Sequence, residues 1–196
     1  MVVRSIAAFI AADPGSVDGT FPAGTTGDWR ANRSEADLDI PREAIVLHAE
    51  LMWGGSWAAG SEDVSDDLDA AVSLTTPLST VSVTPDPATA QLINLASPAG
   101  FDVRYYMRSA DVTGLVRAAG AGRYAVGGVP GTQDAVVREL NAAGWSIAVV
   151  YQHQDEPGRN LSLFVGADWV DEDVEMDTVA TGFCAPPSGE VFGQLH

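Results

Sequence analysis

A histidine and a glutamate two positions apart, His48 and Glu50, are the residues whose types and spacing best suit chemistry. Residues 44–53 alternate in the manner of a strand, and side chains two apart on a strand project from the same face. An imidazole beside a carboxylate suits a general base with its orienting group, or two ligands of a metal ion. Such a pair also occurs on the solvent face of ordinary sheets, and the sequence around it contains no nucleophile motif.

Two acidic runs, at 62–69 and 168–177, contain enough carboxylates for a calcium site. Ca²⁺ takes several oxygen ligands from a flexible loop, although neither run has the residue order of an EF-hand. Calcium is therefore the one cofactor that the sequence suggests, and a solvated acidic surface is the alternative. The candidate ligands are Asp63, Asp66, Asp67, Asp69, Asp168, Asp171 and Asp173.

Two tryptophans, Trp53 and Trp57, flank a pair of glycines. A Trp ring that is exposed beside glycines can stack on a sugar ring, whereas the usual place of Trp is a core. The alternation places Trp53 in the core and leaves both interpretations open for Trp57. Trp57, His48 and Glu50 are therefore the candidate ligand-binding residues.

The charge of the chain excludes several classes of function. All ten basic residues are Arg, so neither a Schiff-base lysine nor the lysine of a phosphate-binding loop exists. The formal net charge of −17 disfavours nucleic-acid binding and anionic membrane surfaces. No apolar run approaches the roughly 20 residues of a membrane span. A single cysteine, Cys184, excludes an internal disulfide.

Strand patterns dominate the chain. We expect a first strand over 2–10, and a second in which Ile45, Leu47, Ala49, Leu51 and Trp53 share one face until Gly54 and Gly55 end it. The run 145–151 is apolar on both faces, which predicts a central, buried strand. The other predicted strands are a hairpin of 71–76 with 80–84, then 103–107, 123–129, 160–165 in a hairpin with 145–151, and a last strand that contains Val191 and Phe192.

Helical patterns are few. Asp111 predicts an N-cap for a helix that ends at Gly120, and 132–143 predicts a second, weaker helix. Many short strands with few helices indicate a mostly β fold, an antiparallel β-sandwich or jelly roll with one or two short helices. We expect a single domain over 1–196, with an N-terminal strand and an irregular acidic segment in 1–43.

Six short motifs together are similar to a known family. The chain resembles an uncharacterised domain found near the start of large bacterial surface or secreted proteins, where repeated β-sandwich modules of the adhesin kind often follow. The resemblance covers roughly 44–195. Its motifs are AELMWGG at 49–55, ADVTGLV at 110–116, AGAGRYAV at 119–126, AGWSIAVVY at 143–151, PGRNLSLFVG at 157–166 and GFCAPPSGEV at 182–191.

The resemblance implies an extracellular or cell-surface location and an adhesin-like or cell-envelope role, and it assigns no catalytic residue. This chain departs from the family in two respects: it ends at His196, where such proteins usually continue, and 132–141 looks more helical. We therefore expect a non-enzymatic module for adhesion or assembly, whose partner is a cell-surface glycan, a protein or a second copy of itself.

Three alternatives remain from the sequence. The first is a calcium-dependent carbohydrate-binding module, which requires an open aromatic platform near Trp57 or a metal loop. The second is a fibre subunit whose apolar first strand, 2–10, pairs with a neighbouring molecule. The third is a hydrolase that uses His48 and Glu50, which requires a concave pocket and a third polar partner.

Overall fold

The structure is a computed structural model, and it describes residues 4–5, 9–13, 15–17, 22–96, 102–136, 140–158, 161–167, 179 and 181–182. Within these residues the fold is mostly β, with antiparallel sheets and one α-helix, as the sequence predicts. No helix in the described part is long and apolar enough to cross a membrane. The predicted last strand at Val191 and Phe192, and Cys184, lie outside the described residues.

Twelve strands and one helix form the described fold. In chain order they are β1 (Arg4–Ser5), β2 (Phe9–Ile10), β3 (Thr25–Thr26), β4 (Arg33–Leu38), β5 (Ile45–Ala59), β6 (Glu62–Asp63), β7 (Val72–Thr75), β8 (Thr80–Val83), β9 (Gln91–Ala96), β10 (Asp102–Asp111), α1 (Thr113–Ala119), β11 (Gly122–Gly127) and β12 (Ala142–Gln152).

Two sheets pack face to face around one apolar core. The first has the order β1-β12-β5-β10-β9, with β6 paired to β5, and the second has the order β4-β11-β7-β8. Trp53 and Leu51 of β5 contact the core from the first sheet, and Val72, Leu74 and Tyr124 contact it from the second. All five side chains are buried, which is the arrangement of a β-sandwich.

The predicted alternation of β5 is confirmed for Ala49, Leu51 and Trp53 and is wrong for Ile45 and Leu47. The pairing of β5 with β12 shifts register between His48 and Val46, which leaves Leu47 as an extra residue. A bulge of this kind reverses the face on which the preceding residues lie. Val46 is consequently buried, whereas Ile45 and Leu47 are exposed.

Gly54 and Gly55 do not end β5, contrary to the sequence prediction. The strand continues to Ala59, and β10 and β12 pair with it on either side of the glycines. A Cβ on Gly54 would lie 2.2 Å from the carbonyl oxygen of Tyr106, and a Cβ on Gly55 would lie 2.4 Å from that of Ala142. These glycines are therefore required by the close approach of the neighbouring strands.

Of four other predictions from the sequence, two are confirmed and two are wrong. The hairpin is confirmed, since β7 pairs with β8 from Val72 to Thr75. The helix before Gly120 is confirmed as α1, and Gly120 ends it with a φ of 68°. The second helix over 132–143 is wrong, because 132–134 are irregular and β12 already begins at Ala142. The predicted strand 160–165 is also wrong, because 161–167 have no regular structure.

The strand that contains 145–151 is formed, but the prediction that it lies centrally is wrong. On one side Ala143 to Gln152 pair with β5, whereas on the other side β1 pairs only with Ala142 and Ala143. No strand among the described residues pairs with the outer edge of 144–152, which we call the open edge. The apolar residues on both faces of β12 are half-buried as a result.

Substitution of Gly54 with Ala should destabilise the fold, because the added methyl group would meet backbone rather than a movable side chain. We expect the free energy of unfolding to fall by about 1–3 kcal/mol, the usual effect of overpacking. The matched control is Gly114→Ala, where nothing lies within 4 Å of the added Cβ. In this helical position we expect a gain of roughly 0.5–1 kcal/mol. Urea unfolding of both variants tests the pair, and an equal effect would contradict the explanation.

Candidate functional site

The pair predicted from the sequence is present in the structure. His48 Nε2 lies 3.2 Å from Glu50 Oε2, on the face of the first sheet opposite the core. The side chain of Glu50 is 10% exposed and that of His48 is 39% exposed. A buried carboxylate is costly without a partner, so the imidazole provides the polar contact that Glu50 requires.

The site lies where β10 ends and α1 takes over as the neighbour of β5. Asp111 is opposite Glu50 at the last paired position of β10. Beyond it, the backbone N–H of Ala49 donates to Thr113 Oγ1 at 2.9 Å, and the N–H of Val112 donates to the carbonyl of Ala49 at 2.9 Å. The first residues of α1 therefore satisfy backbone groups that a strand would otherwise pair.

Arg117 extends this replacement along β5. Its guanidinium donates to the carbonyl oxygens of Val46 and Leu47 at 2.7 and 2.8 Å. Charge-assisted bonds of this kind are stronger than neutral ones. The bulge at Leu47 is thereby fixed, and with it the buried position of Val46 directly before the bulge.

A third polar group completes the cluster, and the sequence analysis did not identify it. Thr113 Oγ1 lies 3.4 Å from His48 Nδ1. The hydroxyl, imidazole and carboxylate thus stand in the order that hydrolases use, although Thr113 is buried and its oxygen already accepts from Ala49. An open cavity of about 460 Å³ near this end is lined by 40–46 and the end of α1, and neither His48 nor Glu50 lines it.

Asp111 is held ionised by its neighbours. The hydroxyl and backbone N–H of Thr113 lower the pKa of Asp111 below its ordinary value of 3.8, and the charges of His48 and Arg117 act in the same direction. The bond from Thr113 N to Asp111 Oδ1 is 2.7 Å long. Asp111 therefore starts α1 much as an N-cap does, one position before Val112, which precedes the first helical residue and makes no side-chain cap bond.

The first acidic run is described in full, and three of its four candidate ligands bond separate protein groups. Asp67 accepts from Arg30 at 2.9 Å, and Asp69 accepts from Arg108 at 2.8 Å. Asp63 accepts from the backbone N–H of Ser65, whose hydrogen bonds lower the pKa of Asp63. Asp66 is exposed. Among the described residues, no three His, Cys, Asp or Glu side chains are arranged to hold a metal ion.

The second acidic run and Trp57 are the remaining candidate sites from the sequence. Asp168, Asp171 and Asp173 lie outside the described residues. Trp57 is 9% exposed and belongs to the core, with the guanidinium of Arg104 at 5.1 Å from its ring centroid. The structure therefore does not place Trp57 on an open aromatic platform.

A second feature with functional potential is the side of the sandwich where β12 and β4 are the outermost strands. Trp145 of β12 bridges the two sheets, since its Nε1 donates to Ser34 Oγ at 2.8 Å. Beside it lies a small, shallow cleft of about 40 Å³ with a mainly apolar lining, which includes Phe9, Ile10 and Val129. We call this cleft the seam.

The N-terminal strands lie across one end of the seam. β1 pairs with β12 in the first sheet, and Ala11 forms a bridge with Asn32, directly before β4 in the second sheet. Asn32 is buried, and its side chain bonds both the N–H and the carbonyl of Val129. β2 therefore contributes Phe9 and Ile10 to the lining of the seam, and β12 contributes Gly144 and Trp145, where the open edge begins.

Comparisons with known proteins add nothing to this geometry: no protein-family model, no curated protein and no solved structure matches the chain.

Loss of His48 should leave Glu50 buried without its partner. We expect His48→Ala to lower the free energy of unfolding by about 1–3 kcal/mol, the usual penalty for an unsatisfied buried polar group. Adding Glu50→Gln removes the buried charge, so the double variant should lose less than the sum of the two single variants. A double-mutant cycle in urea measures this coupling, and strictly additive losses would show that the pair does not interact.

The role of Asp111 predicts a dependence of stability on acid pH. Because its pKa is lowered in the folded state, its contribution is present at pH above the unfolded value and is lost as pH falls through the folded value. We expect Asp111→Ala to cost about 1 kcal/mol near neutral pH. The difference from wild type should then shrink towards zero in thermal melts below pH 3.8. A constant difference across this range would contradict the assignment.

Proposed function

We propose that this chain is a non-enzymatic, extracellular or cell-surface β-sandwich module that acts in assembly or adhesion. One observation carries the proposal: the open edge, 144–152, has no strand partner among the described residues. An unpaired strand offers a row of backbone N–H and C=O groups, which is a template for adding a strand from another chain.

The composition of the open edge supports this proposal. Proteins usually protect exposed edges with charged side chains, and β4 on the same side does so. Arg33 lies 3.4 Å from Glu35, and Arg123 lies 3.0 Å from both Glu35 and Asp37. The open edge, in contrast, contains no charged residue in a chain with a net charge of −17. It therefore lacks the protection that the neighbouring edge has.

The seam gives such an added strand a small apolar depression for one side chain. Strand addition obtains affinity from backbone hydrogen bonds and selectivity from pockets that take alternate side chains. The seam is an apolar cleft directly beside Trp145, at one end of the open edge. Its partner is accordingly expected to be an extended segment with apolar side chains on one face.

The location remains part of the proposal and is supported by the resemblance to domains of large bacterial surface proteins. The acidic surface agrees with an extracellular environment, where it also limits nonspecific association. The carbohydrate-binding alternative has less support, because it requires Trp57 to be accessible and that side chain is buried.

Binding of a strand-forming peptide tests the proposal. The probe is a fluorescently labelled peptide with the sequence of residues 2–10, VVRSIAAFI, followed by anisotropy. We expect saturable binding to wild type that Ser146→Lys weakens at least about tenfold, because the lysine places a charge on the open edge. The matched control is Ser82→Lys on β8, an edge of the other sheet, which should bind as wild type does. Absence of binding, or equal loss in both variants, would overturn the proposal.

A hydrolase is the second candidate, and the contact of Thr113 with His48 is the observation in its favour. Its buried hydroxyl counts against it, since a substrate must reach the nucleophile. Turnover of p-nitrophenyl acetate that is lost in His48→Ala and retained in His153→Ala would support this candidate. Turnover that is the same in both variants would remove it.

A further inference from the structure

We infer that the open cavity beside the end of α1 binds a short apolar peptide whose ammonium and carboxylate ends are both free. The cavity has a volume of about 460 Å³, within the range of about 300–1,000 Å³ that is usual for small-molecule sites. None of its lining residues belongs to the open edge, so this inference does not depend on the proposed function. We call this cavity the loop cavity.

The loop cavity lies between two connections that join the sheets at one end of the sandwich. Residues 39–44 lead from β4 in the second sheet to β5 in the first, and α1 leads from β10 in the first sheet to β11 in the second. The connections meet at the second sheet, where Leu38 pairs with Gly122, and at the first, where Arg117 bonds the carbonyl of Val46. Binding sites often lie in such loops on a rigid scaffold.

Part of the lining is apolar and belongs to the core of the sandwich. Val46 of β5 and Val116 of α1 line the loop cavity, and both are buried core residues. Ile40 also lines it and is half-buried against the same core. An apolar group in the cavity would therefore leave water for a surface that does not bind water.

The charged lining residues have bonding capacity that their own fold does not use. Arg42 and Glu43 form no ion pair among the described residues. Arg117 donates from Nε and Nη2 to backbone carbonyls, which leaves its Nη1 without a partner in the described part of the chain. Four other arginines, in contrast, are paired with carboxylates: Arg30, Arg33, Arg108 and Arg123.

Glu43 has a backbone conformation that glycine would adopt more easily. The N–H of Ala44 donates to the carbonyl of Pro41 at 3.1 Å, which makes Glu43 the third residue of a four-residue turn. Glu43 has a φ of 70°, and it is the one residue other than glycine with a positive φ among those described. Turns with a positive φ at this position favour glycine. Strained residues of this kind are frequent at binding sites.

These groups together define the class of ligand. The guanidinium N–H groups of Arg42 and Arg117 suit a carboxylate, and the carboxylate of Glu43 suits an ammonium group. Val46 and Val116 suit apolar side chains. The chain has a net charge of −17, which opposes a ligand with negative charge alone, whereas a ligand with both charges has none overall. A short apolar peptide with free ends has all three kinds of group.

Calorimetric titration of the full chain with leucyl-leucine tests the inference. We expect saturable binding, and we expect acetylation of the amino end or amidation of the carboxyl end to weaken it at least about tenfold each. This is roughly the effect of losing one hydrogen bond between charged groups.

Two variants assign the ends of the peptide to residues. Glu43→Gly should fold as wild type does, because glycine adopts a positive φ without strain. It should bind the free and the acetylated peptide equally weakly, since the partner of the ammonium group is gone. Arg42→Gln should likewise not distinguish the free peptide from the amidated one. Arg30→Gln is the matched control: it removes the same charge beyond the opposite end of β4 and should bind as wild type does.

Three outcomes would overturn the inference, with circular dichroism confirming that each variant is folded. The first is the absence of saturable binding at millimolar leucyl-leucine. The second is equal affinity of wild type for the free and the blocked peptides. The third is the same loss in Arg30→Gln as in Arg42→Gln, which would show a general effect of charge and not a site.

Discussion

The close approach of three strand backbones at Gly54 and Gly55 is the constraint on which the rest of this structure depends. β10 and β12 lie against β5 so closely there that neither glycine has room for a Cβ. With this spacing, β5 runs for 15 residues through the middle of the first sheet. Its inner face forms much of the core, and its outer face holds His48 and Glu50. A longer side chain at either glycine would push apart the strands that position both features.

The polar cluster shows how a sheet is continued by something other than a strand. When β10 ends at Asp111, the hydroxyl of Thr113 and the guanidinium of Arg117 satisfy the next backbone groups of β5. These contacts hold the bulge and therefore the buried position of Val46 before it. The His48–Glu50 pair follows from its own spacing, and the transition from β10 to α1 adds Thr113 beside it.

The sequence predicted what depends on local patterns. Alternation identified the inner face of β5 from Ala49 to Trp53, and Asp111 and Gly120 marked the ends of the helix. The spacing of two residues on one strand was sufficient to bring the side chain of His48 to that of Glu50. Thr113 was missed because its contact depends on the pairing of β10 with β5, which no local pattern encodes. Its position two residues after Asp111, at the predicted helix start, was the available signal.

The larger errors arose where long-range packing decides the outcome. The run 145–151 is apolar on both faces, a pattern of central strands, yet it lies at an edge, because only β1 pairs beyond it and only at Ala142 and Ala143. Gly54 and Gly55 were interpreted as a stop, because their requirement comes from Tyr106 and Ala142, distant in sequence. The 132–143 segment has a helical pattern, but 132–134 are irregular, and Asn141 bonds the backbone of Asp134 instead.

The attachment of the first strands also determines how the molecule would respond to mechanical load. A pull on the N-terminal end reaches the body first through the two paired residues of β1, and then through the pairing of β2 with β3 and the bridge from Ala11 to Asn32. The β1 pairing and the Ala11 bridge attach to different sheets, so tension there would tend to separate the sheets along the seam before it stretched β5. The pairings of β1 and β2 contain two residues each, whereas ten residues of β12 pair with β5. The N-terminal strands would therefore detach at a lower force than the one that separates the central strands.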